Sequence, residues 1–345
     1  MLEQSKELTD AKPLLTIAVP TYNRAVYLRE LLTVLHPQLI SEPRIELIIA
    51  DNASPDETPA LVEEFQTRGL KLRSIRNPSN IGADGNFLLC FEQARGKYVW
   101  IFGDDDLIMP GGIARILALL TGKDYGLVYV TPFYFRDDYA SAASSDRFGR
   151  VSEMVPDGLG FAQRVGAMIG FISSMIVNKE IYNATPHREL SELNGSSLMQ
   201  LGYLFPVLAS DSKHLIIWER LVAARTGNTS GWGICRVFGV NFKQIVETWL
   251  GHRIKVAKEL QNATLRGWFP GVIMESRRGT LGPLETENMR EVLESVYKSS
   301  WRYWVYIYPL LSMPLGLAEM WFAFVRSVDR ARRLFLMARS SGRLA

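Results

Sequence analysis

The chain has 345 residues, 47% of them apolar and 22% charged, which is enough hydrophobic material for one large core or two moderate ones and too much for a disordered chain. A formal net charge of +3 does not announce a nucleic-acid binder, and two cysteines, Cys90 and Cys235, supply no disulfide framework. Stretch 1–12 is polar and lacks the apolar core of a signal peptide, so the expectation is a cytoplasmic chain with reduced, core-packed thiols.

Residues 14–19 read as a short strand stopped by Pro20. The loop Pro20-Thr-Tyr-Asn-Arg24 follows, then a helix in which Leu28, Leu31, Leu32 and Leu35 recur at helix-face spacing, with Asn23 as its expected N-cap. Residues 45–50 form a second strand that ends in Asp51, after which Thr58 and Pro59 open a helix as N-cap and first-turn proline. A third strand at 71–76 leads into a turn-rich loop with Asn80 and Gly82, then into a helix through Asn86 and Cys90 that stops at Gly96. The fourth strand, 98–102, ends in Asp104, Asp105 and Asp106, and a helix over 111–120 comes next. Strands alternating with helices predict an α/β fold whose sheet is mixed, mostly parallel and flanked by helices.

In such sheets ligands sit beyond the carboxyl ends of the strands. The polar loops around Thr21, Asp51, Asn80 and Asp104 each follow a strand, so they converge on one edge. Three adjacent carboxylates repel one another and resist burial, which calls for a cation; the competing explanation is a solvated acidic turn. No His or Cys lies nearby, so Mg²⁺ or Mn²⁺ is expected rather than zinc. Tyr22 is either a flat partner for a nucleotide base or a half-buried core aromatic, and Asp51 either binds that base or caps its own turn. Neither a Gly-x-Gly-x-x-Gly after the first strand nor a P-loop is present.

In order and spacing, Pro20-Thr-Tyr-Asn-Arg24, the strand end Ile48-Ile-Ala-Asp-Asn-Ala-Ser54, the Asn77 to Gly82 loop with Asn86, and Asp104-Asp-Asp106 resemble the family 2 inverting glycosyltransferases with the GT-A fold. The resemblance covers roughly residues 13–135. It is greatest to the branch serving bacterial O-antigen and other surface polysaccharides, including abequosyltransferase-like members, and Phe171-Ile-Ser-Ser-Met-Ile-Val-Asn178 adds to it. The resemblance implies a nucleoside diphosphate sugar donor held by Pro20, Thr21, Tyr22, Asn23, Arg24, Asp51, Asn80, Gly82, Asn86, Asp104 and Asp105. It implies a metal on Asp106 and Asp104, and a lipid-linked glycan acceptor. Gly103 stands where the family's Asp-x-Asp-Asp pattern has its first Asp.

Beyond residue 130 the Ser-rich stretch 140–146 reads as an exposed loop or lid, 171–177 as a strand and 198–208 as a helix. An inverting transfer needs a base near the acceptor hydroxyl. Glu189, Glu192 and Asp211 are the candidates, each also explained by a surface turn or a cap, and His187 is a base, a phosphate ligand or a structural residue. His214 opens an apolar run and is expected beside the core. The Gly-rich loop 227–233 divides a transferase domain, 1–226, from a mainly helical region, 227–345; its Trp232 stacks on an acceptor sugar or simply packs.

The aromatic stretch 301–325 is long enough to suggest a membrane span, but Pro309, Pro314 and Glu319 interrupt it. Its Trp and Tyr content, with Arg326, Arg330, Arg332, Arg333, Arg339 and Arg343 and the apolar Leu334, Phe335, Leu336 and Met337 beyond, describes a tail over about 299–345 that lies on an anionic membrane surface. A core helix with a solvated basic end, or an oligomer contact, is the alternative. The leading expectation is thus a metal-dependent glycosyltransferase peripheral on the inner face of the cell membrane, with no nucleic-acid partner. Its rivals are a nucleotidyltransferase and a non-catalytic membrane-bound partner subunit.

Overall fold

A computed structural model describes residues 12–140, 152–227, 233–280 and 287–340, with side chains up to 332. The chain divides into two compact units, one of Met1–Gly158 with Ile169–Thr226, the other of Leu159–Met168 with Gly227–Ala345.

In the first unit a nine-stranded sheet runs in the order β3, β2, β1, β4, β8, β6, β9, β5, with β7 paired to β9. The strands are β1 (Leu15–Thr21), β2 (Ile45–Asp51), β3 (Arg73–Arg76), β4 (Tyr98–Ile101), β5 (Leu107–Ile108), β6 (Leu127–Phe135), β7 (Ser152–Val155), β8 (Met175–Asn178) and β9 (His214–Arg225). β1 is parallel to β2 and β4, β2 to β3 and β6 to β9; β8 runs antiparallel between β4 and β6. The sheet is therefore mixed and mostly parallel, as expected.

The connecting helices are α1 (Ala25–Leu39), α2 (Thr58–Thr67), α3 (Gly82–Gln93) and α4 (Gly112–Leu120), followed by α5 (Lys179–Ala184) and α6 (Gln200–Ala209). Leu28, Leu31, Leu32 and Leu35 of α1 are fully buried in one cluster with Leu15, Ile17, Ile49 and Trp100, which is what their spacing demands. Two expected caps shift by a residue. Arg24 occupies the N-cap position of α1 without a side-chain cap, because Asn23 takes a left-handed conformation at φ 53. Glu57 occupies the N-cap position of α2, also without a side-chain cap, and Thr58 bonds Asp56 instead. The strand expected over 171–177 begins with a turn at Ile172–Ser174, so only its second half pairs.

The second unit is helical, with Phe269, Ile273, Leu293, Tyr303, Ile307, Leu310, Ala318 and Val325 at its core. Two of its helices are α7 (Met289–Tyr297) and α8 (Leu315–Ser340). α8 buries Ala318 and Val325 but exposes Leu317, Met320, Phe324 and Val328 along another face. Among the described residues no helix is long and apolar enough to cross a membrane. The side chains of Arg333, Leu334, Phe335, Leu336, Met337, Arg339 and Arg343, most of loop 140–146, and Trp232 lie outside the described residues.

Candidate active site

Because β1, β2, β3, β4, β6 and β9 point the same way, Thr21, Asp51, Arg76, the turn after Ile101 and Arg225 reach one edge of the sheet. β8 reaches it by its first residue. Among the described residues, the three non-glycine residues with positive φ, Asn23, Ala53 and Ser197, follow β1, precede α2 and precede α6. Strain of this kind persists only where surrounding structure fixes it, and it clusters at functional sites.

The carboxylate turn is at the centre of this edge. Asp104 is 3% exposed; Thr21 Oγ1 donates to its Oδ2 at 2.7 Å and Arg24 Nη1 to its Oδ1 at 2.8 Å. Arg24 Nη2 reaches Asp105 Oδ2 at 2.9 Å, so one guanidinium forks across two neighbouring carboxylates. Asp106, 4% exposed, accepts the Arg225 backbone N–H at 2.9 Å and is bonded by the buried Ser173. Burial pushes the carboxyls of Asp104 and Asp106 up to about 7; Asp105 adds to this in both, and Arg24 opposes it at Asp104.

Gly103 has a steric explanation. A Cβ there would stand 3.1 Å from Asp105 Oδ1, 3.2 Å from Asp106 Oδ2 and 3.2 Å from Ser173 Oγ, so a side chain would press into the folded-back turn. Sequence reasoning missed Ser173 and Arg225, and also Glu30 and Tyr27, which meet the Arg225 guanidinium by ion pair and by ring face at 5.3 Å. No local motif signals them. They lie tens of residues away in sequence from the acidic turn.

A divalent cation fits this donor set in one form. The carboxylates offer only hard oxygens, but among the described residues no three His, Cys, Asp or Glu side chains form a metal cage. A cation here would take one or two carboxylates and complete its shell from phosphate oxygens and water, as Mg²⁺ and Mn²⁺ do.

On the β2 side Asp51 is 2% exposed; its Oδ1 accepts the Ser54 N–H at 2.8 Å and its Oδ2 lies 3.1 Å from Arg76 Nη1. Tyr22, next in the chain after Thr21, which pairs with Asp51, is 43% exposed, and an exposed ring can take a flat ligand. Pro20 pairs within β1 and is buried. Asn80 and Asn86 hold loops together. Asn52 Nδ2 donates to Asn80 Oδ1 at 2.9 Å, Asn80 Oδ1 also accepts the Gly82 N–H at 2.8 Å, and Asn86 Nδ2 donates to the Ala50 carbonyl at 2.9 Å.

Strand direction places one of the base candidates away from this edge. Asp211 precedes His214, which begins β9, so it stands at the opposite, amino-end edge of the sheet; strand direction removes it. His187 stacks on Tyr182, which packs on Phe91 near the end of α3, and burial, reinforced by the charge of nearby Glu189, raises the Tyr182 hydroxyl. Glu192 is exposed and paired with Arg188 at 2.7 Å. Residues 195–199 meet the ligand edge, where Ser197 donates its N–H to Asp84 Oδ2 at 3.0 Å in the first turn of α3. That segment, Gly-Ser-Ser-Leu-Met, has no carboxylate of its own. Asp84 is the acid that meets it, and burial raises its pKa.

Comparison with known proteins agrees with this geometry. Residues 16–184 match the family model described as Glycosyl transferase family 2. The abequosyltransferase RfbV of Salmonella typhimurium is 31% identical over 184 residues, which are 50% of this chain and 54% of that protein. The chain thus spans about half the length of that curated relative. Among solved structures, Staphylococcus aureus TarS 1–349 in complex with UDP-GlcNAc superposes with a TM-score of 0.58 at 15% identity, over 93% of this chain and 91% of that one. The mannosyltransferase PcManGT from Pyrobaculum calidifontis, in complex with GDP-Man and Mn²⁺, superposes with a TM-score of 0.52 at 13% identity, over 96% and 93%.

Proposed function

The chain carries a glycosyl transferase family 2 domain, and on that premise we propose that it moves a sugar from a nucleoside diphosphate donor to a lipid-linked glycan in bacterial surface polysaccharide synthesis, with inversion. One observation carries the reading: Thr21, Arg24, Asp51 and the carboxylate turn meet at a single sheet edge, next to the exposed Tyr22. In this reading Tyr22 stacks on the base and Asp51, paired with Arg76, accepts its N–H. Arg24 and Arg225 supply fixed positive charge to the diphosphate. Asp104, Asp105 and Asp106 are the groups that would hold Mn²⁺ or Mg²⁺, whose contribution when bound is to offset charge on the departing diphosphate.

Inversion by direct displacement requires that the acceptor hydroxyl lose a proton to a base on the opposite side of the sugar. Asp84 takes that role here, because it meets the segment 195–199 that returns to the ligand edge. The similarity to a bacterial abequosyltransferase supports transfer of a sugar. A lipid-linked acceptor and a peripheral place on the inner membrane face are supported by the exposed stripe Leu317, Met320, Phe324 and Val328 beside the exposed Arg326 and Arg330.

A panel of nucleotide sugars with purified protein, lipid-linked acceptor and Mn²⁺ or EDTA tests the reading by release of nucleoside diphosphate. Acceptor-dependent release from one donor, abolished by EDTA, is the expected result. The partner-subunit alternative is favoured by the lack of a carboxylate in 195–199, and it wins if no donor is turned over although one binds.

A further inference from the structure

We propose that Arg24 occupies the cation's place in the ligand-free protein and passes to the donor's diphosphate when the cation arrives, so that cation and diphosphate bind as a coupled pair. The proposal rests on the nucleoside diphosphate reading above. Besides the buried Ser173, the oxygens of the acidic turn are held by the Thr21 hydroxyl, the Arg225 backbone N–H and the Arg24 guanidinium. The first is a buried strand side chain and the second is main chain, so neither can leave without disrupting the sheet. Arg24 differs, with 31% of its side chain exposed at the end of a long stem and its guanidinium carbon 5.2 Å from the centroid of the Tyr27 ring.

A guanidinium is permanently charged and planar, and it pairs as well with phosphate as with carboxylate. It cannot share the same oxygens with a divalent cation, because two positive centres at contact distance repel strongly. Diphosphate resolves the conflict by offering the fork a new bidentate partner while the cation takes Asp104 and Asp105. Arg24 and the two carboxylates that it bridges keep partners of opposite charge before and after the exchange. Without diphosphate, the cation must pay for displacing Arg24 with nothing for the arginine to bind, so cation affinity alone is low. Reciprocity then requires that the cation raise diphosphate affinity by the same factor.

Mn²⁺ binding to the full-length protein, read by the EPR signal of free Mn²⁺ without nucleotide or turnover, tests this directly. Arg24→Met and Arg24→Gln are each expected to tighten Mn²⁺ binding about tenfold. Arg29→Met, which removes an equal charge from an exposed pair with Glu64, is expected to leave it unchanged. Adding Asp105→Asn to Arg24→Met should reverse the gain. The proposal is overturned if the Arg24 variants bind Mn²⁺ as wild type or more weakly, or if Arg29→Met gains as much. Two Arg24 variants guard against one that fails to fold. Failure of the transferase reading would appear as no turnover in the nucleotide-sugar panel, which this titration does not use.

Discussion

Arg225, the last residue of β9, donates its backbone N–H to Asp106 Oδ1 at 2.9 Å. The final strand of the sheet thus closes the acidic turn that follows β4, 119 residues earlier. Asp106→Asn keeps the acceptor oxygen and the shape but removes the charge. Turnover should fall at least about a hundredfold, while the variant is as stable as wild type or more so at pH 8, because burial raises the Asp106 carboxyl to about 7 and its ionised form is costly there. Retained activity with intact folding would remove Asp106 from the site.

Thr21 Oγ1 donates to the buried Asp104 Oδ2. Thr21→Val keeps the side-chain shape and leaves that oxygen without its donor, a loss of about 2 kcal/mol for a bond to a charged group. Urea unfolding of the variant measures it. A change under about 0.5 kcal/mol would mean that solvent replaces the hydroxyl.

Asp84 and the rejected acids separate by kinetics. Asp84→Asn should lower kcat more than it raises the donor KM and should flatten the acidic limb of the pH profile, whereas Glu192→Gln and Asp211→Asn should leave both parameters within about twofold of wild type. A kcat unaffected by Asp84→Asn would end the assignment.

His214 is fully buried, its Nδ1 accepting the Leu127 N–H at 3.0 Å, and burial pushes its pKa down to about 4 from an ordinary 6.5. A depressed His pKa means that the unfolded chain binds the extra proton between those values. Stability from this group is therefore complete above pH 6.5 and lost as pH falls towards 4, by about 3 kcal/mol in all. Asp104 and Asp106 act in the opposite sense, so the test is the difference between wild type and His214→Gln from pH 7 to 4.5. Equal slopes would refute it.

Met320 and Phe324 are 63% and 55% exposed on α8. Replacing both with Ser should abolish sedimentation with anionic vesicles and leave thermal unfolding unchanged, since neither contributes to the core. Deleting everything after Tyr297 is a poorer test, because Tyr303, Ile307, Leu310 and Val325 form part of that core. Unaltered sedimentation of the double variant would locate any membrane contact elsewhere.

The α/β architecture and the ligand edge were legible in the sequence, because hydrophobic periodicity identifies strands and helices, and parallel strands joined by helices have all their carboxyl-end loops on one side. Thr21, Asp51 and the acidic turn follow from that rule alone. Tertiary structure decided the partners of each carboxylate: Arg225, Ser173 and the fork of Arg24 come from elements whose separation in sequence has no local signature. It also separated the candidate acids by their surroundings. Glu189, Glu192 and Asp211 are as plausible as Asp84 by residue type, and only strand direction and the path of residues 185–199 distinguish them. Type and spacing report which groups are available, whereas burial and pairing across the sheet determine which of them meet.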